Sequence, residues 1–332
     1  MTPRPLATQQ QGAALLMAML TVALVTTLTS AALWQQWRQV EIETAERGRS
    51  QTAWMMTGAL DWTRLILRED AAASATAKVD HLDEPWALPV QESKLSTFLS
   101  QDQQWQEGDA EVFLSGQITD AQSRMNVMNL IDGDKVSGVV LARFAALFER
   151  LEVPLSELQT LTQQLQSAQL AAKPDAAKDA QNGRAALMPQ QTDQLVWLGL
   201  SPRSWRILQN HITVLPEATP VNLNTASAQV LSACIPGLDL AAARQAVDLR
   251  QRGHWVSLEA VRKALGLAPG TLNDQQHSVQ SRYFEIKGRM RIDQVVQDEW
   301  TLVRREGAGA GTQVRMLWRV RKPLQAASAP LQ

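Results

Sequence analysis

The sequence predicts an α+β protein: one long N-terminal helix packed on an antiparallel sheet, with a large helical insertion interrupting that sheet. Three observations carry this expectation. An apolar run from Ala13 to Leu33 continues without proline to about Asp70. Strand-type sequence occurs near 111–131 and again near 283–321. The stretch between them, from 137 to 280, is mostly helical in pattern. One interrupted α/β module is the economical reading, and two sequential domains are the alternative. The expected organisation is a polar leader (1–12), a transmembrane helix (13–33), the first part of the α/β domain (34–136), the helical insertion (137–280), the completing strands (281–322) and a tail (323–332).

The run AALLMAMLTVALVTTLTSAAL has 21 residues and no ionisable side chain. As a helix it reaches roughly 30 Å, the hydrocarbon thickness of a bilayer. A bilayer cannot hydrogen-bond bare backbone, so helix is the conformation open to it. A secretory signal has a shorter apolar region followed by a small-residue cleavage site. Here the natural cut point precedes the run, at Gly12, behind the leader MTPRPLATQQQG. An uncleaved single-pass anchor is the alternative. Counting Arg4 against Arg38, Arg47 and Arg49 would place the N-terminus outside, so charge does not support an N-inside orientation.

Beyond the anchor, Met55, Gly58, Ala59, Trp62 and Ile66 share a helical face and predict a soluble amphipathic half. Residues 71–90 read as loop and Ser93–Leu99 as a short helix. Glu111–Thr119 and Arg124–Ile131 read as strands joined by a turn at Asp120–Ser123. Ser137 to about Ala168 is helical, with Val139, Val140, Phe144, Leu147 and Leu151 on one side and Pro154 dividing it in two. The Ala/Lys/Asp/Gln-rich stretch 168–186 reads as a linker. In YFEIKGRMRI, Phe284, Ile286, Met290 and Ile292 alternate with charged residues. In VRMLWRVR, Val314, Met316, Trp318 and Val320 form one face. That period of two predicts strands with one buried side. Trp300–Arg305 fits a strand between them, and GAGAG (307–311) connects it to the next.

The segment from Val221 to Gly266 resembles a helix–hairpin–helix unit. Asn224 or Thr225 is the expected cap of the first helix, Ile235–Leu238 the hairpin, Leu240–Arg250 the second helix and Trp255–Leu265 the next. DNA-binding versions use hairpin glycine amides and flanking basic residues. Here Asp239 follows the single glycine, and between 221 and 270 five basic residues face three acidic ones. The chain as a whole has a formal net charge of −1. Neither favours a phosphate track, so no nucleic-acid partner is expected.

Cys234 is the only cysteine, which excludes an internal disulfide. The eleven tryptophans, against one tyrosine, read mostly as core and interface filler. His81, His211, His254 and His277 are scattered, with no nucleophile and carboxylate in a recognisable order. There is no nucleotide loop or zinc-type spacing, and no enzymatic activity is expected.

Glycine between a polar leader and an apolar run resembles the prepilin peptidase site of type IV pilins and type II secretion pseudopilins. That resemblance implies cleavage between Gly12 and Ala13, N-methylation of Ala13, an N-inside orientation and the long-helix pilin architecture. RMNVMNL (124–130), VNLNTA before the hairpin and the terminal YFEIKGR strand extend the likeness. Together they resemble the general secretion pathway protein K family of minor pseudopilins. Most pilins carry glutamate at the fifth mature position, where this chain has Met17, and its absence is typical of that family. A membrane carboxylate is costly unless paired. Met17 therefore suits a subunit with no neighbour above it, and equally a protein that never assembles.

The resemblance implies a place at the tip of a periplasmic pseudopilus, anchored in the bacterial inner membrane. Implied partners are the I- and J-type minor pseudopilins, the major pseudopilin and the prepilin peptidase. It also implies calcium, but the family's D-W-x-D-x-D and G-A-E-D-x-x-Y segments are missing around 160–200. Asp132 and Asp134 are the nearest acidic pair, and two carboxylates in a polar turn are ordinarily just solvated. Competing readings are a membrane-anchored DNA receptor for competence and a minor pilin of a type IV pilus.

Overall fold

The computed structural model describes residues 11–73, 79–94, 111–172, 186–292, 295–307, 309–321 and 325–326. The chain divides into two units, Met1–Gly58 and Ala59–Gln332. Helix α1 (Gln11–Ala73) belongs to the first as far as Gly58 and to the second from Ala59.

In the first unit the described residues are all α1. Its apolar side chains, Leu15, Met17, Leu20, Leu24 and Leu28 among them, are exposed all round the helix. Such a surface suits lipid or neighbouring helices. The four threonines of the run return their hydroxyls to α1 itself: Thr21 to the Ala18 carbonyl, Thr26 to Val22, Thr27 to Leu24 and Thr29 to Val25, at 2.7–2.9 Å. The segment therefore presents no unsatisfied side-chain hydroxyl from these residues to an apolar medium. It is one helix long and apolar enough to cross a membrane.

The second unit continues with β1 (Val90–Lys94), β2 (Val112–Asp120), β3 (Met125–Asn126), β4 (Ile131–Asp132) and β5 (Lys135–Val136). Helices α2 (Gly138–Arg150), α3 (Leu155–Ala171) and α4 (Pro202–Leu208) precede β6 (Ile212–Thr213) and β7 (Val221–Asn222). Then come α5 (Ala228–Cys234), α6 (Leu240–Arg252), α7 (Leu258–Ala264) and β8 (His277–Ser278). The chain ends with β9 (Tyr283–Ile292), β10 (Val295–Glu306), β11 (Gln313–Arg321) and β12 (Gln325–Ala326).

The main sheet has the order β1-β2-β9-β10-β11, with β12 also on β10 and every pair antiparallel. So β2 pairs directly with β9, although the whole helical stretch separates them in sequence. Leu60 and Leu67 of α1 bury against Ile118, Phe284, Ile286, Val303 and Val314, closed by Trp86. The opposite face carries Tyr283 and Leu302, covered by Ala121 and Leu215.

Several expectations are corrected. The buried positions of the soluble half include Leu60 and Leu67, while Gly58 and Trp62 are exposed. The true face is thus displaced from the expected one, and the sheet chooses it. Arg124–Ile131 is not a sheet strand: Met125–Asn126 pairs in parallel with β6, and Val127–Leu130 is a 3-10 turn. Asp120–Ser123 is accordingly not a hairpin turn, and residues 125–136, assigned above to the first part of the α/β domain, belong with the helical core through Met125, Val127, Leu130 and Ile131. Ser93 and Lys94 lie in β1 rather than a helix; the rest of that expected helix, the leader 1–10, most of the linker and most of the tail lie outside the described residues. Among the described residues Trp86 and Trp255 are buried, whereas Trp34, Trp37, Trp54, Trp62 and Trp197 are exposed.

In β11 the alternation breaks at a bulge. Leu302 faces Trp318 but Val303 faces Met316, leaving Leu317 as the extra residue. One inserted residue swaps faces. Val314 therefore joins the α1 side of the sheet while Trp318 packs on the Leu302 side, although the two are even-spaced in sequence.

The helical module has its own core. Pro154 starts α3, as its position suggested, and Leu158, Leu161, Leu165 and Ala168 form its buried stripe. In α2 the buried residues are Phe144, Leu147 and Phe148, with Val139 exposed. Ser227, not Asn224 or Thr225, caps α5 through the Val230 amide. Gly237, in the left-handed region at φ 80°, turns the chain, and Asp239 caps α6 through the Ala242 amide.

Candidate functional site

The sheet and the helical core meet at a buried polar seam built from residues far apart in sequence. Asp120 ends β2 with its carboxylate fully enclosed. It accepts from the Gln122 amide at 2.7 Å, Ser281 Oγ at 2.6 Å, Thr225 Oγ1 at 2.5 Å and Asn222 Nδ2 at 3.0 Å. Burial pushes its pKa up to about 6, against the pull of the donated hydroxyls. Asn222, wholly buried, also donates to the Asp80 carbonyl and Ser281 Oγ and accepts from the Asn224 amide.

Asp80 accepts the Ser281 amide at 2.7 Å and a short bond from Arg305. Arg305 bonds Asp70 at 2.9 Å and the Ser281 carbonyl at 3.0 Å, and its guanidinium lies 4.9 Å over the Phe284 ring. Glu84 accepts from Trp86 Nε1 at 2.6 Å and the His81 amide at 3.0 Å. Burial raises its pKa to about 7. His81 stacks on His254 at 3.8 Å, tying this segment to the loop after α6.

The motif residues act as further pins. Asn126 donates to the Glu217 carbonyl and accepts from the Leu215 amide, and Asn129 grips Thr219 through both its amide and carbonyl. Arg124 pairs with Glu285 at 2.7 Å. Asn224 makes the same double grip on Trp255, and Arg250 donates to the Leu223 carbonyl. Lone pairs and protons in the seam go to structural partners, so the arrangement can hold two cores in register.

The expected cleavage residues, Gly12 and Ala13, lie at the start of α1, with Ala13 exposed. Asp132 and Asp134 flank Gly133 in the β4–β5 hairpin, where Gln166 and Gln169 of α3 donate to the Asp134 and Gly133 carbonyls. Among the described residues the one group of three metal-capable side chains is Asp70, Asp80 and Glu84, within 4.8 Å of one another. This donor set does not fit a calcium ion: Arg305 already neutralises both aspartates, and a cation would have to displace the guanidinium.

Sequence reasoning quoted Asn126 and Asn222 inside motifs but missed Asp80, Asp120 and Ser281, which Asn222 bonds, and Arg305, which bonds Asp80. The available signal was polar residues set among apolar ones, as in Asp120 of QITDAQ and Asn222 of PVNLNT.

The Glu84 shift has a testable consequence. A carboxyl whose folded pKa lies above its unfolded value binds more protons when folded, so its contribution to stability falls as pH rises between the two. For Glu84 that window runs from about 4.5 to 7. Glu84→Gln keeps an acceptor for Trp86 and cannot ionise. The variant is expected to gain on the wild type by roughly 2.5 kcal/mol between pH 5 and pH 8 in denaturant titrations. A pH-independent difference would refute this assignment.

A long N-terminal helix and an antiparallel sheet, with a helical module inserted between two adjacent strands, make a pilin-like fold. The model of the family "Type II secretion system (T2SS), protein K" matches residues 221–280, the stretch from β7 past α7 to the start of the terminal strands. The type II secretion system protein K of Pseudomonas aeruginosa is 28% identical over 294 residues, covering 83% of each chain. The crystal structure of the GspK-GspI-GspJ complex from the enterotoxigenic Escherichia coli type 2 secretion system contains a chain of the same fold. It matches at a TM-score of 0.59 with 16% identity, covering 84% of this chain and 98% of that one. Over residues 221–280, and along most of its length, the chain is thus similar to type II secretion system protein K.

Proposed function

We infer that this chain is the K-type minor pseudopilin of a type II secretion machine, assembling at the tip of the pseudopilus to support protein export. The observation that carries this is the split sheet: β2 and β9 are neighbours, yet the whole helical module lies between them in sequence. A pilin-type subunit so built carries a large inserted helical module in its globular head. The head supplies lateral interfaces and obstructs addition of a further subunit above it. The apolar part of α1 rests in the inner membrane, with the head in the periplasm, until it is transferred into a bundle of like helices.

The I- and J-type minor pseudopilins are its partners at the tip, and the major pseudopilin lies below. Prepilin peptidase cuts between Gly12 and Ala13, and Ala13 is then N-methylated. The protein acts by assembly, without catalysis of its own. N-terminal sequencing and mass spectrometry of membrane-extracted protein should find N-methylalanine at position 13. Export of the machine's substrate should stop when the gene is deleted and return with the wild-type copy. Normal export in the deletion strain would contradict the reading.

The competence-receptor alternative loses support at the hairpin. Arg250 is buried on the Leu223 carbonyl, Arg262 is held by Glu259, and Asp239 is spent as a helix cap. Two of the five basic residues between 221 and 270 are thus engaged, and three acidic residues offset the rest. Titration with duplex DNA at rising salt should show only weak binding, and tight binding with a steep salt slope would favour the receptor.

A further inference from the structure

We propose that the groove between the end of α1 and edge strand β11 is the docking site for an acidic, extended segment of an I- or J-type partner, a proposal that rests on the function inferred above. The groove has a volume of about 500 Å³ and runs between Asp61–Arg68 of α1 and Thr312–Arg315. Four observations converge on it. First, β11 ends the main sheet path, with β10 as its strand neighbour among the described residues. Beyond the Val314 carbonyl, which Arg64 already holds, such an edge offers backbone groups to an added strand.

Second, the groove is cationic. Arg64, Arg68 and Arg315 line it, against the single carboxylate of Asp61. Arg64 donates twice to the Val314 carbonyl, at 2.7 and 2.9 Å, and so fixes the groove's floor. Arg68 is exposed, and the one ion pair of Arg315 is a long one to Glu306 at 3.9 Å. Third, Thr312 is 3% exposed and its Oγ1 has no hydrogen-bond partner. A buried hydroxyl left unpaired costs free energy that an incoming acceptor would recover. Fourth, Met316 and Leu317 at the bulge are 49% and 41% exposed, an apolar patch on an edge that proteins ordinarily guard.

These features select one occupant. A carboxylate-bearing strand would pair with the β11 edge, place its acids against Arg68 and Arg315, accept from Thr312 and cover Met316 and Leu317.

The test uses the full chain in detergent and the purified I- and J-type pseudopilins of the same system. The double variant Arg68→Glu with Arg315→Glu should weaken binding at least tenfold. Reversal at two exposed arginines of the helical module, Arg203→Glu with Arg244→Glu, should change it less than twofold. Thr312→Val should fold with unchanged or raised Tm yet bind several-fold more weakly. A photocrosslinker at Gln313 should capture a peptide of the I- or J-type partner rich in Asp and Glu. Wild-type binding that the Arg68/Arg315 variant leaves unchanged would overturn the proposal while sparing the inferred function. A crosslink to a second copy of this chain would do the same. No binding by the wild type would sink both.

Discussion

Arg305→Met is expected to destabilise the globular unit by about 3–5 kcal/mol, the range for removing one partner of a buried ion pair. On thermal unfolding this corresponds to a fall in Tm on the order of 10 °C. The reason is local charge balance. Arg305 is the cation between Asp70 and Asp80, and it closes the seam onto the Ser281 carbonyl. Without it, two carboxylates face each other in a site already crowded by Glu84. Burial already raises the Asp70 pKa, so part of the loss should be recovered by protonation at low pH. Adding Asp70→Asn and Asp80→Asn to Arg305→Met should restore most of the stability. If the triple variant is no better than the single one, the loss is one of packing on Phe284, and the charge argument fails.

Gly12→Val is expected to abolish processing and, with it, export. Glycine at the cut site lets a protease approach the backbone closely, whereas a β-branched side chain blocks that approach. The uncut chain would retain Arg4 and the polar leader at the N-terminus of α1. A stem with that appendage cannot pass from lipid into a close-packed helix bundle without burying polar groups. The expected readings are a full-length species on a denaturing gel and no exported substrate in the medium. Wild-type export by a protein that keeps its leader would show that processing is not required.

The parts of this fold legible in the sequence are those with a long, single-period pattern. The Ala13–Leu33 run and the alternating YFEIKGRMRI strand each repeat one signal over many residues. The helix beyond the membrane was legible as a helix, yet its buried face was not, because adjacent apolar residues at Met55, Met56, Ala59 and Leu60 allow more than one stripe. Packing on Phe284 and Val303 settles that choice. In β11 the pattern itself misleads, since the bulge at Leu317 inverts the faces of everything after it.

Arg124–Ile131 failed as a strand for another reason. Asn126 accepts from the Met128 amide and turns the chain into a 3-10 helix, a local competitor to sheet pairing. The seam was the least legible part. Asp80, Asp120, Asn222, Ser281 and Arg305 are separated by up to 225 residues, and no local pattern pairs them. Family motifs marked two of the asparagines, but their physical role emerged only from the hydrogen bonds. The polar segments are pins that join the sheet to the helical core.

The most direct measurement of the central claim is native mass spectrometry of this chain mixed with the I- and J-type pseudopilins of its own system. One copy of each in a single complex is the predicted result. If the I- and J-type proteins associate with each other while this chain stays monomeric, it is not the subunit that crowns them.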